Sequence, residues 1–237
     1  MDAPENQPVP LLAVLFDYGG VIAEEGFQQG LYAIATQQGL DPAAVHQAGA
    51  DAVYDTGYVL GNGSEAGFWQ AMREGCGLRG SDGELTTEIL RRFTLRPAMV
   101  QLVRQLRQRG LTVALLSDQT DWLDRLDARD HFYREFDRLY ISYRLGKGKR
   151  DPTLFDDVIR DLVIEPGQAL FVDDAPGNVE RAASRGLQVH LFSSEADCLR
   201  TLADITDLLE IGPSCSRLKK TGPQNVHDRP TGECLIP

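Results

Sequence analysis

The apolar positions of this chain follow two alternating rhythms. Short apolar runs closed by polar turns stand at 11–17 (LLAVLFD), 111–118 (LTVALLSD), 168–174 (QALFVDD) and 187–192 (LQVHLF), with a weaker one, RLYIS, at 138–142. Consecutive apolar residues over such lengths, closed by polar or turn-forming residues, predict strands buried on both faces, as in parallel sheets. Between them, apolar residues recur three and four apart at 98–109, 120–129, 152–163 and 176–185, several of these stretches opening on a proline or a capping residue. That spacing predicts amphipathic helices. Strands alternating with helices imply an α/β fold with a doubly wound, parallel, Rossmann-like sheet. Its chemistry belongs at the carboxyl ends of the strands.

Residues 24–95 break the alternation. Helical spacing recurs at 28–39, 42–56, 64–75 and 83–94, with no convincing strand, so an all-helical insertion after the first strand is expected. Phe68 and Trp69, in SEAGFWQAM, belong to the packing of that insertion. The end of the chain, GPSCSRLKKTGPQNVHDRPTGECLIP, lacks periodicity and is rich in Gly, Pro and polar residues, which predicts disorder. The expected division is a core of 1–23 and 96–211, a helical insertion of 24–95 and a disordered tail of 212–237.

Composition narrows the partners. With 237 residues, 42% of them hydrophobic, the chain can bury the core of one domain carrying an insertion. A net charge of -11 opposes binding to nucleic acid or anionic membranes. No apolar run reaches the length of a membrane span or a secretory leader, and the first ten residues are polar and acidic, so a cytoplasmic protein is expected. The four cysteines show no CxxC spacing and the four histidines no ligand spacing, which leaves reduced thiols and no zinc site.

The strand ends carry, in order, Asp17, Ser117, Lys149 (on the loop after the weak strand), and the pair Asp173 and Asp174. Singly, these are ordinary residues: an aspartate before Gly-Gly forms turns, a serine caps helices, and a lysine in LGKGKRD sits well in a solvated loop. Two adjacent carboxylates closing a buried strand are less ordinary, because they repel unless a cation or hydrogen-bond donors compensate. Together the set matches phosphoryl transfer through a covalent intermediate. A carboxylate attacks phosphorus, a hydroxyl and an ammonium hold phosphoryl oxygens, and further carboxylates hold a magnesium ion.

These segments resemble the motifs of the haloacid-dehalogenase-like superfamily. FDYGGVI at 16–22 is similar to its first motif, with Asp17 as nucleophile, and LLSD at 115–118 to its second. SYRLGKGKRDPTLF at 142–155 is similar to the third, with Lys149 as the motif lysine, and FVDDAPGNVERAASRGL at 171–187 to the fourth, with Asn178 opening the next helix. The resemblance spans about 11 to 210. LRPAMVQLVRQLRQRGLTVALLSDQT at 95–120 points to the branch of epoxide-hydrolase N-terminal phosphatases and bacterial glucose-1-phosphate phosphatases.

What this resemblance implies is a phosphatase that uses Mg2+, acts on a small phosphorylated metabolite such as a sugar phosphate, and forms an aspartyl-phosphate. Asp17, Ser117 and Lys149 would be catalytic, and Ser117, Asp118 and Lys149 would bind substrate. Asp17, the Gly19 carbonyl, Asp173 and Asp174 would hold the metal. The insertion corresponds to the family's C1 cap, which closes over the site, excludes water and selects substrate.

One position departs from the family pattern. Most of its phosphatases carry a second aspartate two residues after the nucleophile, as general acid and base; here that residue is Gly19. Such a group contributes about 10²–10⁴ in rate, so its loss implies either slower turnover or a substrate with a good leaving group. Glu24, Glu25 and Asp118 are candidate replacements, against a reading of each as a solvated acid. Arg150 stands where the family has proline, Lys147 is the alternative to Lys149, and strand alternation turns Tyr18 away from Asp17. Two rival readings remain open: a 2-haloacid dehalogenase, which needs no metal and so no Asp173–Asp174 pair, and a non-catalytic phosphometabolite-binding protein.

Overall fold

The computed structural model describes residues 9–209, and the predicted disordered tail lies outside them. Five parallel strands form one sheet in the order β3-β2-β1-β4-β5: β1 Ala13–Phe16, β2 Thr112–Ser117, β3 Arg138–Ile141, β4 Ala169–Asp173 and β5 Gln188–Leu191. β1 is central, with Phe16 in register with Leu115 of β2 and Val172 of β4. The weak run at 138–142 is a genuine strand, paired to β2 with Ser117 opposite Ile141.

Side-chain alternation divides the buried strands between two cores. Val14, Phe16, Val113, Leu115, Leu170 and Val172 point to the larger one, while Leu15, Ala114, Leu116, Ala169 and Phe171 point to the smaller. Helices α5 (Pro97–Gln108), α6 (Trp122–Asp130) and α10 (Glu195–Leu209) cover the first face; α8 (Thr153–Leu162) and α9 (Pro176–Ser184) cover the second. α10 follows the last strand, where the sequence reading placed no helix. A single turn, α7 (Ser142–Leu145), leads from β3 into the Lys149 loop.

The insertion holds α1 (Gly26–Gln38), α2 (Pro42–Asp55), α3 (Glu65–Cys76) and α4 (Asp82–Leu90). Their starts follow from local chemistry. Asp41 and Ser64 cap α2 and α3, Pro42 opens α2, and Ser81 with Glu84 forms a capping box on α4. α4 ends at Leu90 rather than 94 because residues 93–96 turn back to the core. There Glu24 N donates to Thr94 O at 2.9 Å and Arg96 N to Ile22 O at 2.9 Å, so the outgoing and returning chains lie side by side. Phe68 and Trp69 are buried, and Trp122 of α6 stacks on Trp69 with ring centroids 5.9 Å apart. Among the described residues no helix is long and apolar enough to cross a membrane.

Two glycines of the insertion make opposite demands. A Cβ at buried Gly30 would lie 2.7 Å from the Ile89 Cα, so α1 and α4 meet backbone to backbone there, whereas a Cβ at exposed Gly75 meets nothing within 4 Å. Alanine gains about 1 kcal/mol over glycine in a helix, but overpacking costs about 1–3 kcal/mol. In urea unfolding, Gly75→Ala is expected to raise stability by roughly 0.5–1 kcal/mol. Gly30→Ala is expected to lower it by up to about 2 kcal/mol.

Candidate active site

The register of the sheet gathers the four strand ends. Asp17 N donates to Val172 O at 3.0 Å, which locks the residue after β1 against the end of β4 and sets it beside Asp173. On the other side Ser117, the last residue of β2, donates from Oγ to Asp17 Oδ1 at 2.6 Å. The Lys149 loop returns from β3 and places Nζ 2.8 Å from Asp17 Oδ1 and 2.6 Å from Asp173 Oδ2. The fifth residue, Asp174, follows directly on β4. One oxygen each of Asp17, Asp173 and Asp174 lies within 4.8 Å of the others. All five residues that the sequence singled out at strand ends therefore meet.

Lys149 is 1% exposed and Asp173 is not exposed at all. Burial alone would lower the Lys149 pKa, but Asp17 and Asp173 outweigh it, and the net shift is upward, so the ammonium stays charged. Lys147 is not an alternative: its Nζ binds Asp157 Oδ2 at 2.5 Å and Thr153 Oγ1 at 2.8 Å, near the surface.

A second ring of contacts holds these groups. Asp118 accepts the Lys149 N–H, at 2.9 Å to Oδ1, and the Tyr54 hydroxyl from α2. Its carboxylate is thus committed to the Lys149 loop and to the insertion. Arg181 of α9 donates from Nε to Lys149 O at 2.7 Å and from a terminal nitrogen to Asn178 Oδ1 at 2.6 Å. Asn178 in turn donates to both Asp173 oxygens at 3.1 Å. The sequence showed Asn178 only as a helix opener; for Arg181 the available signal was its three-residue step from Asn178, about one helical turn, and for Tyr54 there was none. Arg150 lies over the Tyr54 ring, 3.7 Å from its centroid, and donates to Ala50 O at 3.1 Å, clasping α2 to the loop.

The Gly-Gly pair after Asp17 has a spatial reason. Gly20 has φ +78°, and any Cβ there would strike the Asp174 carboxylate. A Cβ on Gly19 would lie 2.5 Å from Glu25 Oε2. Each glycine thus makes room for a carboxylate. Glu25 also caps α1, with Oε1 accepting the Gln28 N–H at 3.2 Å. Glu24, by contrast, pairs with Arg96 at 3.1 Å and is half exposed. Tyr18 turns away from Asp17 and stacks on Phe132, ring centroids 4.6 Å apart.

Above Asp17 lies a cavity of about 420 Å³, walled by Asp118, Lys149 and Asp174 on the core side and by Glu25, Phe27, His46 and Tyr54 of the insertion. Burial raises the Asp17 carboxyl above the ordinary carboxylate range, with Lys149 opposing the shift and Asp173 adding to it. Burial and then the Asp173 charge raise Asp174 as well. Burial pushes Glu25 up to about 7, helped by Asp174 and opposed by its Gln28 hydrogen bond. More carboxylates than cations therefore face the cavity. Hard oxygen donors in excess of their counter-charges fit a divalent cation such as Mg2+.

Comparison with known proteins bears on the fold and the family. The bifunctional epoxide hydrolase 2 of Rattus norvegicus is 26% identical over 133 residues, which is 53% of this chain and 24% of that protein. The D-ribitol-5-phosphate phosphatase of Bacteroides thetaiotaomicron is 36% identical over 69 residues, 29% of this chain and 34% of that protein. The chain thus matches about a quarter to a third of the length of these relatives. A HAD family enzyme from Bacteroides thetaiotaomicron, solved with magnesium and inorganic phosphate, superimposes with a TM-score of 0.59 over 77% of this chain and 94% of that one, at 21% identity. The L-2-haloacid dehalogenase of Xanthobacter autotrophicus superimposes with a TM-score of 0.56 over 81% and 83%, at 22% identity; at such identities the two show a shared fold. The model of the haloacid dehalogenase-like hydrolases matches residues 11–186, and the chain belongs to that family of hydrolases.

Proposed function

We propose that the protein is a magnesium-dependent phosphatase that hydrolyses a small phosphorylated metabolite through an aspartyl-phosphate on Asp17. The observation that carries this reading is the convergence of Ser117, Lys149, Asp173 and Asp174 on Asp17 from separate strand ends. Asp17 Oδ1 takes the Tyr18 N–H at 2.8 Å besides Ser117 and Lys149, which fixes the carboxylate for attack by its other oxygen. As the phosphoryl group arrives, the Ser117 hydroxyl and the Lys149 ammonium can turn to its oxygens, since both already sit within hydrogen-bond reach of the reacting carboxylate. Asp17, Asp173 and Asp174, with the Gly19 carbonyl, would hold Mg2+, which supplies positive charge against two anions approaching each other. The residues of the insertion over the cavity, Phe27, His46 and Tyr54, would meet the leaving group.

Dehalogenases share the fold, but halide displacement from carbon gives Asp174 no task. Its carboxylate nevertheless sits on Gly20 at the edge of the acidic cluster.

Asp17→Asn is expected to lose phosphatase activity by roughly 10⁴-fold or more across a panel of sugar, nucleotide, amino-acid and aryl phosphates. Chelation should abolish wild-type turnover and added Mg2+ restore it. Full activity in the variant, or halide release from 2-chloropropionate that survives the chelator, would refute the reading.

Magnesium should also register without turnover. At about 100 times its dissociation constant a ligand stabilises the folded state by roughly 2.7 kcal/mol, so millimolar Mg2+ is expected to raise the wild-type Tm. Asp174→Asn is expected to remove most of that rise; an equal rise in the variant would exclude Asp174 from the metal site.

A further inference from the structure

An ordinary alcohol cannot leave its phosphate ester as a bare alkoxide at useful rates, and water attacks an acyl phosphate faster when a base takes its proton. The reaction proposed above therefore needs a proton donor and acceptor in the cavity. Seven titratable side chains line it: Asp17, Glu25, His46, Tyr54, Asp118, Lys149 and Asp174. Asp17 and Lys149 are occupied with each other, and Asp174 belongs to the acidic cluster. Asp118 accepts from Lys149 N and from Tyr54, so neither it nor the Tyr54 proton is available without opening the contact between insertion and core. His46 stands on α2 with its ring edge-on to Tyr32 and Phe27, at 5.8 and 6.4 Å, held within the insertion.

Glu25 remains, and its placement is specific. One oxygen is fixed by the Gln28 N–H at the start of α1, which orients the carboxyl. The other reaches to 2.5 Å from where a side chain would leave position 19, two residues beyond Asp17 on the same loop. The absence of a side chain at Gly19 is what admits it. A solvated surface acid describes Glu24, which pairs with Arg96 outside, and does not describe its neighbour.

We propose that Glu25 is the general acid and base of the reaction, delivered to the nucleophile loop from the base of the insertion through the space that Gly19 leaves. The inference rests on the phosphatase reading. In the first step Asp17 attacks phosphorus, the bond to the leaving oxygen breaks, and its electron pair takes the proton of the Glu25 carboxylic acid. Alcohol, aspartyl-phosphate and a Glu25 carboxylate result. In the second, water attacks that phosphorus while Glu25 takes its proton, the bond to Asp17 breaks with its electron pair, and inorganic phosphate leaves. Both side chains return to their starting states. Substrates with poor leaving groups then come within reach, contrary to what Gly19 alone suggested.

The test compares phenyl phosphate with 4-nitrophenyl phosphate, whose phenolate leaves without a proton, in Mg2+ with the full chain. Glu25→Gln is expected to lose about 10²–10⁴ on phenyl phosphate. Its first turnover on 4-nitrophenyl phosphate should be nearly unchanged and followed by a stall, seen as a burst of nitrophenol and phosphorylated Asp17 by intact-protein mass. The double variant Gly19→Asp, Glu25→Ala, which moves the carboxyl from one side of the contact to the other, should recover phenyl phosphate turnover. Equal losses on both substrates without phosphoenzyme, or a Glu25→Gln protein as active as wild type, would overturn the role of Glu25 and leave the phosphatase reading standing. A wild-type protein that hydrolyses neither ester would overturn both.

Discussion

The buried ammonium of Lys149 is the charge on which the site depends. It lies between Asp17 and Asp173, at 2.8 and 2.6 Å, with almost no exposure. Two carboxylates at neighbouring ends of β1 and β4 would otherwise repel in a medium that screens poorly. Removing one partner of such a buried pair typically costs about 3–5 kcal/mol. The surrounding hydrogen bonds are arranged to keep this cation in place. Asp118 holds the backbone N–H of Lys149, Arg181 holds its carbonyl, and Asn178 ties Arg181 to Asp173. One lysine thus links the loops after β2, β3 and β4 to the carboxylate after β1.

The same network reaches the insertion. Asp118 accepts from Tyr54, Tyr58 donates to Asp121, and Ser142 Oγ donates to Val59 O at 2.8 Å. Beneath these polar contacts, Trp122 of α6 packs among Tyr58, Phe68 and Trp69. Two of the groups that roof the cavity are therefore bonded to the segments that shape its floor, the Tyr54 hydroxyl to Asp118 and the Val59 carbonyl to Ser142. An opening of the insertion would have to break the Tyr54–Asp118 contact, and so would disturb the support of Lys149; access to the site and its electrostatics are mechanically linked.

The two glycines after Asp17 show how backbone space is used where side chains carry charge. Gly20 lets Asp174 lie against the loop, and Gly19 lets Glu25 do so from the insertion. A carboxylate that belongs to neither the sheet nor its loops is thereby brought to the nucleophile by a helix cap. Its position follows from the start of α1, where the chain leaves the core beside the returning segment 93–96.

Much of this was written in the order of residues. Short apolar runs, one of them weak, gave the five strands and three-four spacing gave eight of the helices, because both patterns are local consequences of what each element buries. Asp17, Ser117, Lys149, Asp173 and Asp174 could be singled out because parallel strands end at one edge of the sheet, so that position along each run already implied proximity. What sequence left open was every choice made by packing between distant segments. Glu24 and Glu25 are adjacent acids with identical chemistry, and only the crossing of chains at the base of the insertion sends one to Arg96 and the other to Gly19. Asp118 stood beside Ser117 as a candidate for substrate binding and for the missing acid, and nothing in its place along the chain announced its bonds to Lys149 N and Tyr54, 31 and 64 residues away. Periodicity reports which face of an element is buried; which partner meets a given side chain is decided by tertiary structure, since that contact joins residues with no fixed spacing between them.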